Sequence, residues 1–172
     1  MINRSIALPL VITAGVALPF WPAKAQATLQ EQRVVPTDIC AGVQNAGPED
    51  AASCAQDALW DHNWPAFLNW AQKAVAAGDY IPADWLGEEY ESPGSGNEVI
   101  KKDLVRAYMW YDIAAQLHAR QIQQMPPTSS PIGSEDNRFE INYRNAVAQH
   151  LTPAQIAEAL RLEKEWFAAH GQ

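Results

Sequence analysis

Positive charge is scarce in this chain. Twelve Lys and Arg stand against 20 Asp and Glu, a formal net charge of −8. A nucleic-acid-binding face needs clustered cations to replace phosphate counterions, so nucleic acid is excluded as a partner. Electrostatic attachment to an anionic membrane is disfavoured for the same reason. The one local basic pair, Lys101-Lys102, reads as a solvated loop.

Cysteine is nearly absent, with only two residues. No C-x-x-C or C-x-x-C-H occurs, which argues against a thioredoxin-like redox site and covalent haem. In an oxidising compartment Cys40 and Cys54 form a disulfide; two free structural thiols are the alternative. Closing so short a loop stabilises the fold by about 3 kcal/mol on a chain-entropy account. The signatures of metal and acyl chemistry are missing as well. His62, His118, His150 and His170 have no H-E-x-x-H or other close ligand spacing, so no metal or cofactor is expected. His118, His150 and His170 read as helix-end residues that satisfy terminal carbonyls. Ser95 sits in Gly-Ser-Gly without the spacing of a G-x-S-x-G elbow, and no S-x-x-K occurs. Glu88 and Glu89 are sequence neighbours pointing about 100° apart on a helix, which suits a solvated face better than a catalytic dyad.

What is present begins with a secretory signature. Arg4 precedes an uncharged, mostly apolar run from Ile6 to Phe20, followed by small-x-small sites that place cleavage after Ala25 or Ala27. The run is too short to span a bilayer, which needs about 20 residues. Residues 1–27 are therefore expected to be a signal peptide, and the protein periplasmic or secreted, with no membrane insertion once the signal is gone. Loss of Arg4 and Lys24 would take the net charge from −8 to −10.

The rest reads as helices. Residues 28–63 form an irregular arm and a first helix that starts at Pro48-Glu49-Asp50. After a break at Asn63-Trp64-Pro65, apolar residues at helical spacing from Phe67 to Val75 end at Gly78. Pro82 opens a short helix, Ser92–Asn97 is a loop, and Asp103 caps a helix through Leu104–Ala115. The segment 125–134 cannot continue that helix. Another resumes near Glu135 with Phe139, Tyr143, Ala146 and Val147 on its apolar face. Thr152-Pro153-Ala154-Gln155 opens the last helix with a capping box. On that helix Glu163 either marks the edge of the apolar face or pairs with Arg144. Six helices in about three hairpins, and no strand, define an all-α fold.

Trp70 and Ala74 recur 40 residues later as Trp110 and Ala114, a spacing suited to two-helix repeats. Ala83-x-x-Leu86-Gly87-x-x-Tyr90, Gly94-x-Gly96 and Asp103-x-x-x-Ala107-Tyr108-x-Trp110-Tyr111-x-x-Ala114-Ala115 resemble one unit of the Sel-one-like repeat family, relatives of tetratricopeptide repeats. Leu151–Ala159 with Glu165-Trp166 is similar to the capping segment of short bacterial members. His118 stands where that family has Gly, and 125–134 is an insertion. The resemblance implies a short solenoid over 64–172 with a C-terminal capping helix. It also implies a non-enzymatic interaction module, an adaptor or scaffold. In such solenoids first helices line the concave surface, which makes Trp85, Glu88 and Glu89 recognition candidates. The acidity suits a protein partner with a basic segment.

Two other functions compete. Trp60 and Trp64 flank His62 at a helix–helix turn and could form an exposed aromatic patch for carbohydrate or peptide, which would favour a glycan- or small-ligand-binding protein; packing against the disulfide-tethered arm is the alternative. The other is a cell-wall-active hydrolase: some cysteine-rich relatives of the resembled family are associated with β-lactam binding or hydrolysis, but they carry paired cysteines in each repeat, whereas Cys40 and Cys54 precede the clear repeat here.

Overall fold

A computed structural model describes Cys40, residues 48–125 and residues 137–171. The expected signal peptide, most of the arm and most of the 125–134 loop lie outside the described residues. Six helices make up the described chain: α1 Pro48–Trp60, α2 Trp64–Ala76, α3 Ile81–Glu91, α4 Leu104–Gln124, α5 Arg138–Ala148 and α6 Pro153–His170. Among the described residues there is no strand, and the described part of the chain is all-α. Cys40 and Cys54 are joined in a disulfide across a Cα–Cα distance of 5.7 Å, tying Cys40 to α1. No described helix is long and apolar enough to cross a membrane.

Local chemistry sets most of the helix ends. The Asn63 carboxamide accepts from the amide of Ala66 at the start of α2, with Pro65 in the first turn. Asp79 accepts from the amide of Ile81 at 3.0 Å ahead of α3. Asp103 accepts from Val105 and Arg106 at 3.0 and 3.1 Å, satisfying two of the otherwise orphaned first-turn donors of α4. The capping box between Thr152 and Gln155 opens α6, and Gly171, at φ 68°, closes it in the left-handed conformation.

Adjacent helices pack in sequence order: α1 on α2, α2 on α3, α3 on α4. Then the order changes, and both α5 and α6 lean on α4. The core between them holds Phe67, Val75, Leu86, Ile100, Tyr111, Ile113 and Val147, all essentially sealed from solvent. The approach of α3 to α4 is close. Gly87 faces the ring of Tyr111, and a Cβ at that position would lie 2.6 Å from it. Trp64 at the head of α2 closes on Gly94 in the same way, where a Cβ would lie 2.7 Å from its ring.

Two faces differ from the apolar pattern in the sequence. The inward face of α5 is Glu140, Arg144 and Val147, while Phe139 is 69% exposed and Tyr143 43% exposed. The reason is on α4, whose buried surface presents His118 to Glu140 and Asp112 to Arg144. Polar complementarity thus overrides hydrophobicity in choosing which side of α5 turns inward. His118 likewise does not sit at a helix end, because α4 continues to Gln124 and buries the imidazole within the helix.

Gly87→Ala sets two effects against each other. Alanine favours helix by about 1 kcal/mol, whereas forcing a methyl into a filled contact costs about 1–3 kcal/mol. The clash dominates, since the nearest atoms belong to a buried ring that cannot withdraw. Urea unfolding should show Gly87→Ala destabilised by the difference, about 1 kcal/mol. An unchanged or raised midpoint would contradict this packing.

Candidate functional site

The Tyr111 ring lies over Gly87, and its hydroxyl donates to Glu91 at 3.0 Å. Tyr143 of α5 stacks on the same ring with centroids 5.5 Å apart. Phe139, one turn earlier on α5, is exposed to solvent. Tyr111 thus gathers Tyr143 of α5 with Glu91, Glu88 and Asp84 of α3, whose carboxylates all act on its hydroxyl, while Phe139 stays exposed one turn away on α5.

These carboxylates are electrostatically crowded. Burial, then Glu88 and Glu140, push the Asp84 carboxyl from its usual range up to about 7. Burial, then Glu89 and Glu91, raise Glu88. No Lys or Arg pairs with Asp84, Glu88 or Glu91 among the described residues. A cation brought to this face would therefore meet uncompensated negative charge beside aromatic surface.

Behind that face lies a buried polar layer. His118 Nδ1 is 3.1 Å from Glu140 Oε1, with both side chains more than nine-tenths buried. Tyr80 stacks flat on the imidazole at a centroid distance of 3.9 Å. A second layer joins α4, α5 and α6. Arg144 donates to Asp112 at 2.5 Å, and Gln116 bonds both Asp112 and Glu163. Glu163 is thus neither a rim residue nor the principal partner of Arg144. Burial and the adjoining Asp112 push its carboxyl up to about 7. No group of three or more His, Cys, Asp or Glu among the described residues is arranged to hold a metal ion.

The residues singled out in the sequence are dispersed. Trp85 is half-buried against the core, and Glu88 is exposed on α3. Glu89 Oε2 instead accepts from the Gly94 amide and the Asn97 carboxamide, both at 2.9 Å, and so organises the 92–97 loop. Trp60 is exposed, but Trp64 is buried against Gly94, so the two do not assemble a continuous aromatic patch. His170 behaves as a helix-end imidazole, with Nδ1 2.7 Å from the backbone carbonyl of Trp166. Sequence reasoning missed Tyr143 and Phe139 as surface residues. The i, i+4 spacing of Phe139 and Tyr143 was visible, but the polar residues that turn that stripe outward were not.

No protein-family model matches the chain, and neither a curated protein nor a solved structure shows significant similarity to it.

The raised carboxyls carry a pH signature. Asp84 and Glu163 hold protons in the folded chain that the unfolded chain releases near pH 4, so their contribution is fully present at low pH. It is lost as pH rises through about 7. For Asp84 the loss is about 2 kcal/mol, taken below the full displacement because part of the group still meets water. Asp84→Asn, which mimics the protonated acid, should flatten the decline in unfolding free energy between about pH 4 and pH 7 by that amount. Parallel curves for the two proteins would show that Asp84 titrates normally.

Proposed function

We propose that this protein is a non-enzymatic periplasmic adaptor, a short solenoid of Sel-one-like hairpins that docks a protein partner through a basic segment. The pairing of α1 with α2 and of α3 with α4 supports stacked hairpins. The secretory signature over 1–27 and the Cys40–Cys54 disulfide support an extracytoplasmic site of action.

One observation carries the reading of function. Tyr111 links the exposed Tyr143 of α5 to Glu91 of α3, Glu88 acts electrostatically on the same hydroxyl, Phe139 is exposed one turn away from Tyr143, and no Lys or Arg among the described residues pairs with those carboxylates. A Lys- or Arg-bearing segment supplies the missing charge, and its stems and aromatic contacts cover the rings. Recognition of this kind involves no bond making. Trp60 alone gives the glycan-binding reading too little surface to prefer it.

A photoreactive phenylalanine analogue at position 139 of the full chain, used in the producing cell, tests the docking face. The expected result is a protein adduct that disappears when Glu88 and Glu91 are both changed to Lys, with the helical circular dichroism retained. Absence of a protein adduct, an adduct with glycan in its place, or an adduct indifferent to the charge reversal would overturn the proposal.

A further inference from the structure

A cleft distinct from the acidic face runs between α2 and α6, with α4 as its floor. Met109, Trp110, Leu162 and Trp166 give it an apolar lining, and Gln72 of α2 stands at its wall. Its volume is about 270 Å³. Trp110 and Trp166 meet edge-on within it, with centroids 5.8 Å apart. At one end Tyr90 and Arg106 also line an adjoining cleft of about 240 Å³, whose other walls include Lys101, Lys102 and Val99.

The adjoining cleft reverses the charge of the molecule. Lys101, Lys102 and Arg106 are three of only 12 cations in the chain, and they converge within six residues. Asp103 is the single carboxylate among the described residues that line this cleft. It lies 3.5 Å from Arg106, with its other oxygen committed to capping α4. Arg106 is fixed in place by donating to the Tyr90 hydroxyl at 3.1 Å, a bond that also favours its charged form. Lys101 and Lys102 are exposed and form no ion pair among the described residues. The pair thus has a setting that a solvated loop does not require.

We propose that these joined clefts bind a peptide segment in which an acidic residue adjoins a large apolar or aromatic one. The carboxylate sits among Lys101, Lys102 and Arg106, and the apolar side chain enters between Trp110, Trp166 and Leu162. Charge complementarity chooses an anion over the basic segment proposed for the α3–α5 face. Aromatic rings and the adaptable Met109 thioether suit side chains of varied shape, and the Gln72 carboxamide can bond the peptide backbone.

Selection of a displayed random peptide library, about 12 residues long, on the full chain tests this site. The expected outcome is enrichment of Asp or Glu next to Leu, Phe or Trp. Binding of the selected peptides should weaken about tenfold or more with Lys101→Glu/Lys102→Glu and with Leu162→Asp. Gln72→Glu, at an exposed helical position, should also weaken it and guards against misfolding of the Leu162 variant. Peptides lost on Leu162→Asp and Gln72→Glu but carrying no acidic preference would overturn the anionic assignment. Selection of basic peptides alone, abolished by Glu88→Lys/Glu91→Lys, would overturn the cleft and leave the adaptor function standing. No enriched peptide, or cleft-dependent binding of palmitate or chitotetraose in its place, would overturn the proposal.

Discussion

Burial of α4 is the constraint on which the remaining structure depends. Eleven of its 21 residues are buried, so it cannot exist as a surface helix and must be enclosed by others. Helices α3, α5 and α6 supply that enclosure from different sides. On the α3 side the fit is steric, with Gly87 giving Tyr111 the space that any side chain would occupy. On the α5 side it is polar, with Glu140 answering His118 and Arg144 answering Asp112. On the α6 side it mixes aromatic contact at Trp166 with the carboxylate of Glu163.

This arrangement produces two surfaces of opposite character from one hub. Because α5 turns its polar residues inward, its aromatic residues face solvent beside the carboxylates of α3. Where α2 and α6 border α4, Trp166 and the outer edge of the otherwise buried Trp110 line a cleft. Buried polar and charged pairs contribute little net stability when compared with apolar replacements, but leaving one partner alone is costly. The His118–Glu140 and Asp112–Arg144 pairs therefore specify how α5 is oriented more than how strongly the chain folds. An orientation set in this way fixes which side chains of α5 face solvent.

The helices themselves were legible in the sequence because their punctuation is local. Asn63-Trp64-Pro65, Asp103 and the Thr152–Gln155 box each act within one turn, and the apolar period from Phe67 to Val75 is strong. The orientation of α5 was not legible, since it depends on partners 22 and 32 residues away in sequence. Hydrophobic periodicity placed Phe139 and Tyr143 inward and gave no hint that Glu140 had a buried partner; for Arg144 the sequence offered Glu163, whereas the structure pairs it with Asp112. The candidate sites were legible only in fragments. Glu88 is on the acidic face as its helix position suggested, but Glu89 is turned to the 92–97 loop. Lys101-Lys102 resembles any solvated pair until Arg106 and Tyr90 are brought alongside by the α3–α4 contact.

Native-state hydrogen exchange of the full chain tests the central place of α4 most directly. Amides that open only on global unfolding should concentrate in residues 107–118, where the helix is enclosed by α3, α5 and α6. The amides of α5 and of the ends of α6, with one buried side each, should exchange through smaller openings at lower free energy. Slowest exchange in α1 and α2, with α4 opening before them, would contradict an architecture organised around α4.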